Sequence, residues 1–389
     1  MRSMLVVAEV AMALSLVAFA GLMARSLTRL LDVNPGFRTA NLLTARIAVP
    51  GSRYDSSSKL EAFFDRWLDR IGALPGVEAV ALVDRLPLLG SGNTGTPTIV
   101  GRSVANANLP DSELRTVSES YFRVMGLPVL KGRSFAPSDG RETRRVVVVN
   151  RKFVDEMFGG EDPIGRTLTF AFVDGSLEVV GVVADERAGD LDGRVRPVLY
   201  FPWRQDSGAS TSAVLRTETG TRGVASALSA ESRAMEPDAI VSSVRTMEEV
   251  IATVPATFLR RYPLMILACF AVFALVLASI GIYGVMSLAV GERTSEIGIR
   301  MALGAPTASI LRLVLRQGLT LVALGVGAGV VIGLAGARIL ATVLFETPPS
   351  DPLVFTGAAS ILTGVAALAI YLPARRAARV DPLVAVRHE

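Results

Sequence analysis

Cysteine and histidine are nearly absent from this sequence of 389 residues, which contains one of each. With Cys269 alone, no disulfide can form within the chain, so a folded domain must be stabilised by its hydrophobic core. The single histidine, His388, is the penultimate residue. The sequence therefore has too few histidines and cysteines for a zinc site, and its one histidine, in the tail, does not suit a Ser-His-Asp triad. We expect no catalytic residue and no bound metal.

Signatures of nucleotide and nucleic-acid binding are missing as well. The sequence has no G-x-x-x-x-G-K-[ST] motif, so it cannot hold nucleotide phosphates by that route. The formal net charge of +4 is small and is not gathered into a basic stripe, so no nucleic-acid partner is expected. An enzyme with a paired-carboxylate site stays open. We expect the central acidic residues, however, to be solvated loop charges: Asp139, Glu142, Asp185, Glu186, Asp190 and Asp192.

Long hydrophobic runs dominate what is present. Half of the residues are hydrophobic and the mean hydropathy is +0.45, a value that soluble domains rarely reach. Four runs each cover the roughly 20 residues that cross a bilayer core. They are residues 4–24, 264–290, 317–337 and 353–372. The apolar part of the first run is too long for a signal peptide, so we expect a first transmembrane helix within residues 1–29.

Arginine residues predict the orientation of these spans. The loop 291–316 and the tail 373–389 both carry clusters of arginine. By the positive-inside rule both segments, and with them both termini, are cytoplasmic, whereas residues 30–262 lie outside. Arg25 and Arg29 disagree with this orientation, because they flank the outer end of the first span.

The region between the first and second spans alternates strands and helices. Residues 40–95 predict a β-α-β unit, whose helix follows a capping-box spacing from Ser58 to Glu61. This helix carries one apolar face from Leu60 to Ile71, which includes Phe63, Phe64 and Trp67 and is typical of a core face. The same order returns in residues 210–250. The sequence therefore predicts one split α+β domain, with a strand-rich domain inserted at about residues 96–205. The strands predicted in the inserted domain are residues 145–149, 167–172, 177–184 and 198–201.

Two further segments complete the predicted organisation. Residues 246–261 read as a helix that runs directly into the second span. Residues 263–389 form a last domain with the three remaining spans. The predicted fold class is a multi-pass membrane protein with one span, a large α+β extracytoplasmic domain and three more spans.

The loop between the second and third spans carries a patterned charge. Arg293, Glu296 and Arg300 fall at i, i+3 and i+7, on one face of a helix that Gly304 would end. Burying these charges in lipid is costly, so the face must meet water or a partner. A cluster that only sets topology would explain the arginines but not Glu296, since acidic residues contribute little to topology.

Two features within the spans have open interpretations. Gly325, Gly329 and Gly333 form overlapping GxxxG patterns, which favour close helix packing, although glycine is common in membrane helices. Glu9 lies inside the first span. It could be functional, extend to the interface or stay protonated.

The segments 292–305 and 373–387 resemble the FtsX-like domain of MacB-type ABC transporter permeases. The region between the first two spans resembles the periplasmic core domain of that family. The matching motifs are YFRVMGL at 121–127, GRSF at 132–135, EDPIG at 161–165, VGVVAD at 180–185 and VLYFP at 198–202. The opening, with NPGF at 34–37, is similar to the second half of duplicated permeases. Those relatives carry two such units, so a fragment, a split gene product and a dimerising permease stay open.

The resemblance implies a permease subunit in the bacterial inner membrane, for export or for lipoprotein or peptide handling. This chain would bind no cofactor, because ATP and Mg²⁺ would act on a separate cytoplasmic ABC ATPase. In the family, the loop after the second span is the coupling helix on that ATPase. Here the coupling residues would be Arg293, Glu296, Ile297, Arg300 and Met301. Other implied partners are a second permease copy or homologous half, membrane lipid and a periplasmic adaptor.

A regulatory role is the alternative function. Division-type FtsX relatives control a cell-wall hydrolase without transporting a substrate. The large domain between the first two spans favours the exporter, because those regulators have small outer domains. The sequence does not indicate the transported substrate.

Overall fold

Two compact units make up the computed structural model, which describes residues 2–90, 92–101, 111–170, 173–218, 220–293 and 306–377. The first unit, called the helix bundle here, comprises residues 1–32 and 259–389. The second, called the sheet domain, comprises residues 33–258. The predicted boundaries at residues 29 and 262 lie near these limits and stay a prediction.

Four long helices supply the membrane-spanning segments of the described chain. They are α1 (Arg2–Leu31), α7 (Pro255–Gly291), α8 (Thr307–Leu340) and α9 (Pro352–Ala377). Each is long and apolar enough to cross a membrane. The prediction of a multi-pass protein with one span followed by three is therefore confirmed, and every helix extends beyond its predicted apolar run.

The first helix forms the centre of the bundle. Val10, Leu14, Ala18 and Leu22 of α1 are completely buried, against apolar residues of α8 and α9. By contrast, α7 buries only a narrow stripe and exposes most of its large apolar side chains. These exposed side chains suit a helix that faces lipid, since acyl chains are as apolar as they are.

In the other unit, the described residues form one sheet of twelve strands. Its strands are β1 (Leu42–Ala48), β2 (Val77–Val83), β3 (Asn93–Gly95), β4 (Thr98–Ile99), β5 (Ser112–Val117), β6 (Val129–Gly132), β7 (Val146–Asn150), β8 (Thr167–Phe170), β9 (Val173–Val183), β10 (Val198–Pro202), β11 (Ser210–Thr217) and β12 (Ile240–Thr246). Its helices are α2 (Ser57–Gly72), α3 (Tyr121–Met125), α4 (Arg151–Phe153), α5 (Arg222–Met235) and α6 (Met247–Thr253). A π-helical turn, Val154–Phe158, continues α4, and a 3-10 turn, Trp203–Gln205, follows β10.

The strand order combines both parts of the predicted sheet domain. It runs β12-β1-β11-β2-β5-β10-β7-β9-β8-β4, with β3 beside β5 and β6 beside β9. Most pairs are antiparallel, but β5–β10 and β7–β9 are parallel. The two predicted β-α-β units interleave, because β11 lies between β1 and β2.

Two of the hydrophobic cores in the described part of the chain pack helices on this sheet. The first packs α2 and α5 on β1, β2 and β11, with Phe63, Phe64 and Trp67 of α2 almost fully buried. The second packs α4 and the π-helical turn on β7 to β10, around Phe153 and Phe158. The aromatic face predicted for α2 from its spacing is therefore a core face.

Two local predictions were wrong. The helix α2 begins at Ser57 after Ser56, which makes no side-chain cap, so Ser58 and Glu61 form no capping box. Residues 246–261 are not one helix, because α6 ends before Val254, an extended residue, and α7 starts at Pro255. Proline disfavours helical backbone in the residue before it but suits the first position of a helix.

Candidate coupling site in the helix bundle

The predicted coupling residues lie largely outside the described chain. Glu296, Ile297, Arg300 and Met301 belong to residues 294–305, for which the structure gives no description. Arg293 is exposed just after α7, and its Nη1 donates to Oε1 of Gln317 on α8 at 3.2 Å. The start of the loop is therefore linked to α8, and the assignment of the other four residues stays a prediction.

The C-terminal part of α7 has a second polar link. Nη1 of Arg376, near the end of α9, donates to the hydroxyl of Tyr283 at 2.7 Å, and the guanidinium lies 6.0 Å from the centre of that ring. Arg293 and Arg376 belong to the two arginine-rich segments from which the orientation was predicted. Both segments therefore start at the same end of the bundle.

An ion pair lies at the opposite end. Nη1 of Arg25 is 2.7 Å from Oδ1 of Asp351, which is nearly buried and also accepts from the backbone N–H of Leu353. Asp351 thus caps α9 as well as pairing with α1. Next to it, the hydroxyl of Ser26 accepts from the N–H of Phe345 at 2.8 Å. The charge of Arg25, which disagreed with the predicted orientation, is thus balanced inside the bundle.

The glycines of α8 face neighbouring helices of the same chain. A Cβ atom on Gly325 would lie 2.6 Å from Cβ of Val10, and one on Gly329 would lie 2.8 Å from the backbone oxygen of Ala11. On Gly333 it would lie 2.9 Å from a ring atom of Phe355 in α9. Their assignment to packing stays a prediction. The described contacts make α1 and α9 the neighbours for which these glycines leave room.

A hydrogen bond accompanies the close approach of α1 and α8. The hydroxyl of Ser15 donates to the backbone oxygen of Gly329 at 3.2 Å and to that of Ala11 at 2.9 Å. Sequence reasoning also missed Gly336, where an added Cβ would lie 2.6 Å from the ring of Phe19. Its position seven residues after Gly329, on a similar face of α8, was the available signal.

Glu186 corrects the expectation of solvated loop charges. Its carboxylate is fully buried in the sheet domain and accepts from Arg115 at 2.6 Å, from the Tyr200 hydroxyl at 2.9 Å and from the Tyr121 hydroxyl at 3.2 Å. Burial and the Glu186 charge raise the pKa of both tyrosines well above its ordinary value. Burial alone would lower the pKa of Arg115, but the Glu186 carboxylate holds it above its usual value.

The other five acidic residues differ among themselves. Asp139 is also nearly buried and forms a two-point ion pair with Arg133, so for it too the expectation was wrong. Burial raises the pKa of the half-buried Asp185, whose Oδ1 accepts from Asn150. Glu142 and Asp192 are exposed, as expected. The buried ion pair of Glu186 joins residues 71 positions apart, which no local pattern reveals.

A cleft of about 760 Å³ opens at the ends of the parallel strands β5 and β10 in the sheet domain. Its carboxylates are Asp84 and Asp206, and Thr116 donates from its hydroxyl to Asp206 at 3.3 Å. Burial raises the pKa of Asp84. Trp203 also lines the cleft, which is large enough for a small polar molecule.

Comparisons with known proteins identify both parts of the chain. The family model described as "MacB-like periplasmic core domain" matches residues 4–242, and the one described as "FtsX-like permease C-terminal" matches residues 268–382. The macrolide export ATP-binding/permease protein MacB of Azoarcus sp. (strain BH72) is 30% identical over 90% of this chain and 51% of its own length. MacB of Neisseria meningitidis serogroup A is 30% identical over 78% of this chain and 46% of its own length.

Solved structures were compared as well. The periplasmic region of MacB from Actinobacillus actinomycetemcomitans is 17% identical, with a TM-score of 0.38, and the match covers 58% of this chain and 97% of that one. The extracellular domain of the transporter YknZ from Gram-positive bacteria is also 17% identical, with a TM-score of 0.33, over 51% of this chain and 100% of that one.

The two family models and the curated relatives define the class of protein as an ABC transporter permease. The chain belongs to the MacB-like, FtsX-type family of such permeases. It is a multi-pass inner-membrane protein, and it spans about half the length of the curated relatives that it matches.

Proposed function

We propose that this chain couples ATP hydrolysis by a cytoplasmic ABC ATPase to movement of its own sheet domain on the other side of the membrane. ATP and Mg²⁺ would be bound by the ATPase, and the segment 292–305 would dock on it. A second permease copy, or a homologous half, would complete the transporter. A periplasmic adaptor would receive the exported lipoprotein, peptide or other cargo.

The observation that carries this proposal is the uninterrupted helix α7. It has 37 residues and leads from the last residues of the sheet domain to the predicted coupling loop. At 1.5 Å per residue it is about 55 Å long, which exceeds the roughly 30 Å of a bilayer core. Pro263 removes one backbone hydrogen bond near the start of α7, but the helix continues through it, so an axial displacement at one end can reach the other, which is what mechanical coupling requires.

The contacts of α7 also suit this role. Its side chains pack on the bundle along a narrow stripe that includes Ala278, Ile282 and Met286, and most of its other large apolar side chains are exposed. Near the loop, the polar links at Tyr283 and Arg293 join it to α9 and α8. A helix with so little buried surface loses little packing when it moves, and the links near the loop pass its movement to α8 and α9.

The test reverses Glu296 and Arg300 together, which keeps the net charge of the loop. The permease and a co-expressed ABC ATPase would be purified in lipid nanodiscs, and ATP hydrolysis and co-purification measured. The Glu296→Arg and Arg300→Glu single variants and the double swap are expected to lose both, because a docking face depends on where each charge lies. If all three variants keep wild-type hydrolysis and co-purification, this helix is not the coupling element.

Control of a cell-wall hydrolase without transport is the competing function. The size of the sheet domain, residues 33–258, favours the transporter. Loss of a periplasmic hydrolase activity, with export intact, in a strain lacking this permease would favour the regulator instead.

A further inference from the structure

Glu9 is the only acidic residue of α1, and its side chain turns toward α7. The Oε2 atom is fully buried, and within the described part of the chain it has no hydrogen-bond partner. This Oε2 atom lies where a side chain of residue 281 would begin. A Cβ atom added to Gly281 would lie 2.0 Å from Oε2 and 3.0 Å from Cδ of Glu9. The carboxyl group therefore occupies the space that this glycine leaves open.

The buried neighbours of Gly281 along α7 are apolar. Gly281 lies in the stripe through which α7 packs on the bundle, between the buried residues Ala278 and Ile282. In a membrane, apolar side chains pack equally well on a helix or on lipid, so an apolar stripe does not by itself select one register between two helices. A polar group that fits into a single gap does select one register. At any other register the polar group would face lipid or an apolar side chain.

We propose that Glu9 and Gly281 form the positioning contact that sets the register of α1 against α7. Glu9 acts through α7 rather than on any ligand. The contact follows from the geometry of the bundle alone. Its further role, that α1 and α7 move together when the loop is displaced, rests on the proposed function.

Replacement of Gly281 by alanine tests the contact directly. The atom that the new methyl group would meet is the end of a flexible side chain, so the carboxyl group would move rather than the helix. It would then enter the apolar core or the lipid, where a polar group is costly. Gly284, on the same helix, is the matched control, since a Cβ atom there would meet nothing within 4 Å.

The experiment uses the full chain, purified in lipid nanodiscs in a Cys269→Ala background. One cysteine replaces Ala278, a second is moved through positions 5 to 8 and 10 to 13 of α1 so that Glu9 is kept, and a flexible bis-maleimide crosslinks the pair. The profile of yield against position reports the register of the two helices. The Tm of each variant is measured in parallel.

Gly281→Ala is expected to lower the peak crosslinking yield at least about twofold, or to move the peak, and to lower Tm, whereas Gly284→Ala matches wild type. Adding Glu9→Ala to Gly281→Ala should restore both the profile and most of the lost Tm, because no carboxyl group remains to be displaced. Glu9→Gln alone should keep the wild-type profile, since the amide has the same shape, and it should not rescue Gly281→Ala.

Two results would overturn the proposal. The first is that Gly281→Ala and Gly284→Ala give the same profile of crosslinking yield against position. The other is a loss in Gly281→Ala that Glu9→Ala does not recover, because the methyl group would then act on something other than the carboxyl. The crosslinking profile needs no ATPase. If it behaves as expected while the Glu296 and Arg300 swap leaves ATP hydrolysis intact, the contact stands and only its part in transmission is lost.

Discussion

Arg25 of α1 and Asp351 at the start of α9 form an ion pair of 2.7 Å across 326 residues of sequence. Asp351 also precedes a proline in the first position of α9 and accepts from the N–H of the second residue, Leu353. The same carboxylate therefore forms the ion pair with α1 and caps the N-terminus of α9. The pair also accounts for an arginine at the end of α1 that the positive-inside rule does not predict.

Two substitutions at Asp351 should separate these roles. Asp351→Asn keeps the helix cap but loses the charge, whereas Asp351→Ala loses both. We expect the alanine variant to be less stable than the asparagine variant by about 1 kcal/mol, the usual contribution of a cap. Thermal unfolding of the full chain, followed by helical circular dichroism, measures the difference. Equal losses in the two variants would mean that only the ion pair contributes.

Gly329→Ala should weaken the contact between α1 and α8. The added Cβ atom would lie 2.8 Å from a backbone oxygen, which cannot move aside as a side chain can. We expect a loss of about 1–3 kcal/mol, as for other overpacked sites. Gly327→Ala is the control, since an added Cβ atom there meets nothing within 4 Å. A similar drop in Tm for both variants would show that the loss comes from helix backbone effects rather than from packing.

Tyr200→Phe should change the pH dependence of the sheet domain. Burial and Glu186 raise the pKa of Tyr200 far above its ordinary value of 10.0, so the folded domain keeps the phenol neutral where the unfolded chain ionises. This contribution is complete below pH 10 and is lost progressively as the pH rises above it. The variant also loses a hydrogen bond to a buried carboxylate, which costs about 1–3 kcal/mol at pH 8.

Urea unfolding at pH 8, 10 and 11 measures this effect. The two tryptophans, Trp67 and Trp203, are both buried in the sheet domain, so their fluorescence reports on that unit alone. The stability difference between wild type and Tyr200→Phe should shrink from pH 8 to pH 11. A constant difference across this range would contradict the role of the phenol.

The predicted orientation is tested by cysteine labelling. In a Cys269→Ala background, a cysteine at the exposed position Ser58 should react with an impermeant maleimide added to whole cells with permeabilised outer membranes. A cysteine at the exposed position Ser309 should react only after lysis. Labelling of position 309 in intact cells would reverse the topology, and with it the assignment of the loop to the cytoplasm.

Hydrophobic pattern predicted the elements that it governs. Strands such as β7 and β10, rich in apolar and β-branched or aromatic residues, and the amphipathic helix α2 were found within one or two residues of their ends. The strands β3 to β6 were missed, because β3 and β4 are very short, β6 is fully exposed and β5 buries charged residues. Backbone hydrogen bonds to neighbouring strands stabilise these four strands, and no pattern in the sequence shows that pairing.

The candidate site was predictable only where its signal is local. Glycines four residues apart are visible in the sequence, and the structure shows which helices they meet. The partners of Glu9, Arg25 and Glu186 lie 272, 326 and 71 positions away, respectively, and only the fold brings them together. For that reason Glu186 was wrongly predicted to be solvated, since an acidic residue between short strands ordinarily faces water.

The central place of α1 has a consequence for the order of synthesis. This helix is made before the sheet domain, yet the residues that bury Val10 and Leu14 belong largely to α8 and α9, which are made after it. The whole sheet domain is translated in between. The bundle therefore closes only after the ribosome has delivered the far end of the chain, and until then α1, with Glu9, must reside in the membrane without its permanent neighbours.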